Sequence, residues 1–170
     1  YGTAKSSKMD ENHPTLPQSA YAVSKLAADR IADVFWHEHG IPVVIARPFN
    51  CYGPREGQPY VIPEIIRQLA DGNKLNLGNL KARRDFTFVH DAAKALVKLM
   101  TVEADGPEVF NIGSGESHSV WELVEDIALL MGVEPEIDID EAKLRPNDVM
   151  ELRCDSGKIK EWTGWEASTS

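Results

Sequence analysis

The chain is poor in the residues that make covalent or metal frameworks. Only two cysteines, Cys51 and Cys154, occur in 170 residues. They lie far apart, and no C-x-x-C or Cys/His spacing surrounds them, so neither a disulfide scaffold nor a zinc site is expected, and a reducing cytoplasm suits the chain best. His37 and His39 are two residues apart on a stretch of helical periodicity and point to different faces, which argues against a metal pair. No apolar run approaches the ~20 residues of a membrane span, and Tyr1-Gly2-Thr3-Ala4-Lys5 carries no apolar signal core. Basic charge is also short: 18 Lys and Arg stand against 27 Asp and Glu, a net charge of -9. Such a field repels polyanions, and no Lys/Arg run with interleaved aromatics offsets it locally, so nucleic acid is not an expected partner. Repeats and low-complexity tracts are absent. An initiating methionine is missing too, which predicts that the chain is part of a longer protein.

What is present reads as a globular α/β chain with enough length for a real core. From Ser19 to His39, Val23, Leu26, Ala27, Ile31, Val34 and Phe35 recur at helical spacing, with Pro17 before the run and Gly40 after it as a C-terminal stop. The following run, Ile41 to Ala46, is short, continuously apolar and β-branched, the pattern of a strand buried on both faces. Arg47 to Pro59 is dense in Pro, Gly and Asn and predicts a loop just past that strand's carboxyl end, where open α/β sheets bind ligands. Further helices are expected near 62–70, 91–100 and 120–131, and short strands near 75–77, 85–88 and 109–112. His90 stands where it can assist a helix starting at Asp91, and Trp36, Trp121, Trp162 and Trp165 read as packing residues.

One pair on the first helix carries chemistry. With 3.6 residues per turn, Tyr21 and Lys25 lie one above the other, and Ala28 and Ala32 continue a face of small side chains. A phenol with a pKa near ~10 is a poor base at neutral pH. A cation about 4 Å away supplies roughly 4 kcal/mol at an effective dielectric of about 20, or about three pKa units. The spacing alone also fits an aromatic residue beside a solvated lysine, and context decides between the two.

That context is a set of motifs in order. They are Tyr1-Gly2, Pro17 to Lys25, Arg47 to Arg55, Val61-Ile62-Pro63, Arg84 to Asp91, Phe110 to Gly115 and Leu144 to Asp148. Together they resemble the extended short-chain dehydrogenase/reductase family, in particular its NAD-dependent nucleotide-sugar epimerases and 4,6-dehydratases, along nearly the whole chain. The resemblance implies that Tyr21 removes a sugar hydroxyl proton while C4 gives hydride to NAD, and that Lys25 also holds the nicotinamide ribose. The 4-keto sugar is then reduced from its other face in an epimerase or loses water in a dehydratase. The wording of Arg47 to Arg55 and of Arg145 to Asp148 leans towards dehydratases.

Other roles follow by the same resemblance. Pro48 is expected beside the nicotinamide, and Asn50 on the nucleotide sugar, although Asn also suits a loop cap. Arg84 and Arg145 are expected to clamp the diphosphate, for which a planar guanidinium fork is well shaped. Val61, Leu75 and Leu77 either line the base and ribose pocket or belong to the core. Asn111 either approaches the nucleotide or makes a structural turn, and Gly113-Ser114-Gly115 is too short for a phosphate loop and reads as a turn.

A full enzyme of this type opens with a strand, a GxxGxxG turn and a helix that hold the NAD pyrophosphate. The 170 residues contain no such segment. At about 30 residues per βα unit, roughly a hundred residues are expected upstream, with most of the adenosine site and the acids that separate dehydratase from epimerase. The expected fold is the C-terminal part of a Rossmann-like parallel sheet plus a smaller mixed α/β substrate-binding domain. Residues 1–50 and 90–112 are assigned to the NAD-binding domain, and 51–89 and 113–170 to the nucleotide-sugar-binding domain. An uncovered strand edge and apolar surface predict a homodimer or larger assembly. A binding or assembly module without chemistry is the competing expectation.

Overall fold

The computed structural model describes residues 1–57, 59–144 and 149–169. Helix α1 (Ala20–His39) forms where the periodicity predicts it. The Ser19 hydroxyl accepts the Ala22 amide at 3.1 Å, and Gly40, at φ 64°, turns its N–H back to the Trp36 carbonyl. Strand β1 (Val44–Pro48) starts three residues later than expected, because Pro42 has no N–H for a ladder. It pairs in parallel with β6 (Glu108–Ile112), Val44 opposite Glu108 and Pro48 opposite Ile112. The expected burial of β1 on both faces is not found. Its residues are half-buried up to the exposed Pro48, with Val44 and Ala46 on the packed face and Arg47 on the other.

The Arg47 to Pro59 stretch is not all loop. It holds β2 (Asn50–Tyr52), parallel to β5 (Phe86–Phe88). Then come α2 (Val61–Asp71), β3 (Lys74–Leu77) and β4 (Arg83–Arg84), and after β5 the helix α3 (Val89–Leu99). The sequence pattern missed β7 (His118–Ser119), β8 (Glu136–Ile139) and β9 (Glu151–Leu152), which are too short or too polar to announce themselves. Strand β4 lies between β7, antiparallel, and β9, parallel, while β3 pairs in parallel with β8. Helix α4 (Val120–Met131) is set by a capping box: Ser119 Oγ accepts the Glu122 amide and Glu122 accepts the Ser119 amide at 2.7 Å. Helix α5 (Gly157–Thr163) closes the described elements.

Apolar burial falls into two clusters. The first joins Ala92, Ala95 and Leu99 of α3 to Phe110 and Ile112 of β6, Ile159 of α5 and Trp165. The second joins Ile65 and Leu69 of α2, Leu75 and Leu77 of β3, and Val124 and Ala128 of α4. Trp165 is thus a packing residue, whereas Trp121 and Trp162 remain half exposed.

Two buried carboxylates organise the connections. Asp85, between β4 and β5, accepts the amides of Ser114, Gly115 and Cys154 and the Ser114 hydroxyl. The 113–115 turn is therefore real, and it packs so closely that a Cβ on Gly113 would stand 2.2 Å from the Cys154 Cβ. Burial and the nearby Asp85 carboxylate push the Cys154 thiol far up, so it stays protonated. Helix α3 starts at Val89, two residues before the expected Asp91, so His90 lies within its first turn. Asp91 ties that turn to the C-terminal segment: it accepts the amides of Ser168 and Thr169, the Ser168 hydroxyl and the Lys94 ammonium. Burial opposes its ionisation, but these donors outweigh burial and hold its carboxyl well below the usual range.

Candidate functional site

Tyr21 and Lys25 occupy the first two turns of α1 and both reach solvent, Tyr21 at 72 % exposure. The Lys25 ammonium lies 5.5 Å from the Tyr21 ring centroid, as expected for residues one turn apart. The cation and the phenol are therefore neighbours on an accessible surface, and a substrate hydroxyl can approach both. Helix α1 has no buried residue, and its apolar side chains Val23, Ile31, Val34 and Phe35 are exposed among the described residues.

Pro48 and Asn50 are both exposed where β1 passes into β2, and the intervening Phe49 amide donates to the Ile112 carbonyl at 2.8 Å. Asn50 stands opposite Phe86, two residues after Arg84, so the β2–β5 pairing draws the Asn50 backbone towards the β4 arginines. Arg84 donates to the carbonyls of Arg83, at 2.8 Å, and Val149, at 2.6 Å. It is thereby tied to the segment that follows Arg145, which itself lies outside the described residues. In the loop after β2, Arg55 takes a left-handed backbone at φ 72°, a conformation that costs a non-glycine residue roughly 1 kcal/mol. Val61 opens α2 and is half-buried against the second cluster.

Three expected contacts have no surface to offer a ligand. Leu75 and Leu77 are 1 % and 5 % exposed, because alternation on β3 turns both towards α2 and α4. Of the two roles open to them, the core is the one they fill. Asn111 is 0 % exposed and fully committed: its Oδ1 accepts the Tyr1 hydroxyl at 2.7 Å and its Nδ2 donates to the Met9 carbonyl at 3.0 Å. Its backbone amide donates to Glu11 at 2.7 Å. It is a junction inside the fold rather than a wall of a pocket.

Sequence reasoning missed the side chains that tie α1 to the sheet. Arg47 Nε donates to Asp29 at 2.7 Å, Nη2 lies 2.7 Å from the same oxygen, and Nη1 donates to the Tyr1 hydroxyl at 3.0 Å. The guanidinium carbon also stands 4.9 Å from the Tyr1 ring centroid. Burial works against the Arg47 charge, but Tyr1 and Asp29 overcome it and hold the group still more firmly protonated. Burial raises the Tyr1 phenol, with Arg47 and Asn111 opposing it, so Tyr1 acts here as a neutral donor and acceptor. A signal was available: an arginine ending an apolar strand needs a partner wherever it is buried. Among the described residues, no group of three or more His, Cys, Asp or Glu side chains forms a metal site, and no helix is long and apolar enough to cross a membrane.

The family model described as GDP-mannose 4,6 dehydratase matches residues 1–170. The chain belongs to this family. The GDP-6-deoxy-D-mannose reductase of Pseudomonas aeruginosa is 33 % identical over 156 residues, covering 88 % of this chain and 51 % of the reductase. The dTDP-D-glucose 4,6-dehydratase of Mus musculus is 32 % identical over 172 residues, covering 98 % of this chain and 48 % of the dehydratase. The chain thus spans about half the length of these relatives. Among solved structures, UDP-glucuronic acid 4-epimerase from Bacillus cereus, in complex with UDP-glucuronic acid and NAD, superposes with a TM-score of 0.92 at 26 % identity, covering 100 % of this chain and 54 % of that one. The fold is therefore the Rossmann-like α/β fold of the short-chain dehydrogenase/reductases.

Proposed function

We propose that the protein containing this chain is an NAD-dependent nucleotide-sugar enzyme acting through a 4-keto sugar, most similar in reaction to the 4,6-dehydratases. The observation that carries this reading is the exposed Tyr21–Lys25 pair at the start of α1, set within a family of dehydratases. Tyr21 takes the proton of the sugar 4-hydroxyl on its phenolic oxygen and later returns one. Lys25 supplies the neighbouring positive charge and reaches the ribose hydroxyls of the cofactor. The exposed Tyr21, Lys25 and Pro48 fit the nicotinamide end of NAD, a donor set on an open edge. When bound, the nicotinamide supplies a hydride acceptor.

Arg84 and Arg145 neutralise the diphosphate, Asn50 hydrogen-bonds the nucleotide sugar and Val61 borders its base. The NAD-binding unit follows the first apolar cluster and the nucleotide-sugar unit the second, with α5 and Trp165 joining the first because Ile159 and Trp165 pack there. The exposed apolar face of α1 supports a homodimer or larger assembly, and two unpaired thiols suit the cytoplasm. A 4-epimerase is the second reading, supported by the likeness to the Bacillus cereus epimerase.

The test is product analysis of the naturally expressed protein with GDP-mannose, dTDP-glucose and UDP-glucuronic acid. A 4-keto-6-deoxy product without net consumption of NAD supports the dehydratase, a C4 epimer supports the second reading, and no turnover of any nucleotide sugar defeats both. Tyr21→Phe is expected to lower kcat by about 10²- to 10⁴-fold. Full turnover by that variant would remove Tyr21 from the mechanism.

A further inference from the structure

The helix that carries Tyr21 and Lys25 has no fully buried residue, and its packed side, with Leu26, Asp29, Ala32 and Trp36, is only half-buried. Among the described residues, a guanidinium from the sheet reaches it. Arg47 lies on the face of β1 opposite Val44 and Ala46 and meets Asp29, one turn beyond Lys25 on α1. Only 16 % and 20 % of the two side chains are exposed, so water screens the pair weakly. The guanidinium's third contact is the Tyr1 hydroxyl, which passes on to Asn111, the register partner of Arg47 on β6. Arg47 is also the residue immediately before Pro48.

We propose that Arg47 is a positioning residue whose ion pair with Asp29 holds the Tyr21–Lys25 helix in register with the Pro48–Asn50 edge. The inference rests on the reading of Tyr21 and Lys25 as the reacting pair. A planar fork suits the task. Nε and Nη2 both engage Asp29 while Nη1 engages Tyr1, so the guanidinium fixes direction as well as distance, which an ammonium in its place would not do. The groups proposed to grip the diphosphate, Arg84 and Arg145, belong to other elements. Loosening the Arg47–Asp29 link should therefore misplace the reacting atoms and leave substrate affinity in place.

The test uses the naturally expressed protein with Asp29→Asn, Arg47→Gln, Arg47→Lys and the Asp29→Asn/Arg47→Gln double variant, each checked for folding by circular dichroism. Asp29→Asn is the mild variant, because it keeps shape and an acceptor oxygen. Misplacement of about 1 Å predicts a kcat loss of up to about a hundredfold. KM for the nucleotide sugar should stay near the wild-type value, and the deuterium isotope effect from the hydride-donating carbon should rise as that step becomes limiting. Arg47→Lys should recover part of the loss, and the double variant should be no slower than Arg47→Gln, since both changes break one link. Amide exchange should accelerate across 20–39 and not across 120–131.

A folded Asp29→Asn protein with unchanged kcat, isotope effect and α1 exchange would overturn the proposal, as would additive losses in the double variant. Tyr21→Phe serves as the control for the underlying reading. Full turnover by that variant would dismiss the catalytic pair, and the positioning role with it. An inactive Tyr21→Phe beside an unaffected Asp29→Asn would dismiss the positioning role alone.

Discussion

Two regions of the molecule are held in place by different physics. Around α2, β3 and α4, six apolar side chains between 0 % and 5 % exposed pack into one cluster, and the geometry is set by exclusion of water. Around α1, no residue of the twenty-residue helix is fully buried, and an arginine, an aspartate, a tyrosine and an asparagine provide polar links. Apolar packing resists change from many directions at once and tolerates small volume-conserving swaps. A hydrogen-bonded ion pair is directional, and losing one partner strands the other. The difference teaches where to look for chemistry: the region that packs by itself is a platform, and the helix tied by polar links presents the exposed phenol and ammonium.

This comparison can be broken experimentally. Leu75→Ala, which empties part of the second cluster, should destabilise folding by about 2–5 kcal/mol in urea titration. Its effect on kcat should be far smaller than that of Asp29→Asn, and the reverse order would erase the distinction between platform and site.

A milder probe is Asp91, whose carboxylate latches residues 168 and 169 to α3. Its folded pKa is depressed, so its contribution to stability is fully present above the unfolded value of about 3.9 and is lost as pH falls through the folded pKa. The difference in melting temperature between wild type and Asp91→Asn should therefore be constant from neutral pH down to about 4 and shrink below it. A difference that grows on acidification would contradict the latch. The smallest effect belongs to Leu130→Glu. Leu130 is 85 % exposed on α4, two residues from the buried Ala128, and the change should stay within about 0.5 kcal/mol. A larger loss would mean that this face of the platform is covered in the assembled protein.

Much of this was legible in the chain. Helix α1 announced itself by periodicity and a glycine stop, and α4 by periodicity, signals that act within a few residues. The Tyr21–Lys25 contact was legible for the same reason, since one helical turn brings the two together whatever surrounds them. The short strands β7, β8 and β9 were not, because two- to four-residue polar segments become strands only through partners distant in sequence. The partners of Asn111 were hidden for a related reason. Its motif allowed a ligand contact or a structural role, and its side-chain amide bonds Tyr1 and Met9, each about a hundred residues away.

The sequence by itself determined the α/β character, the family and the Tyr21–Lys25 contact, because periodicity and ordered motifs are local properties of the chain. Only the tertiary structure decided that Leu75 and Leu77 are core, that Asp85 and Asp91 clamp distant turns, and that Arg47 ties α1 to the sheet. Those depend on which polar and apolar groups meet after the chain has closed long loops, and no local pattern encodes the partner of a buried charge.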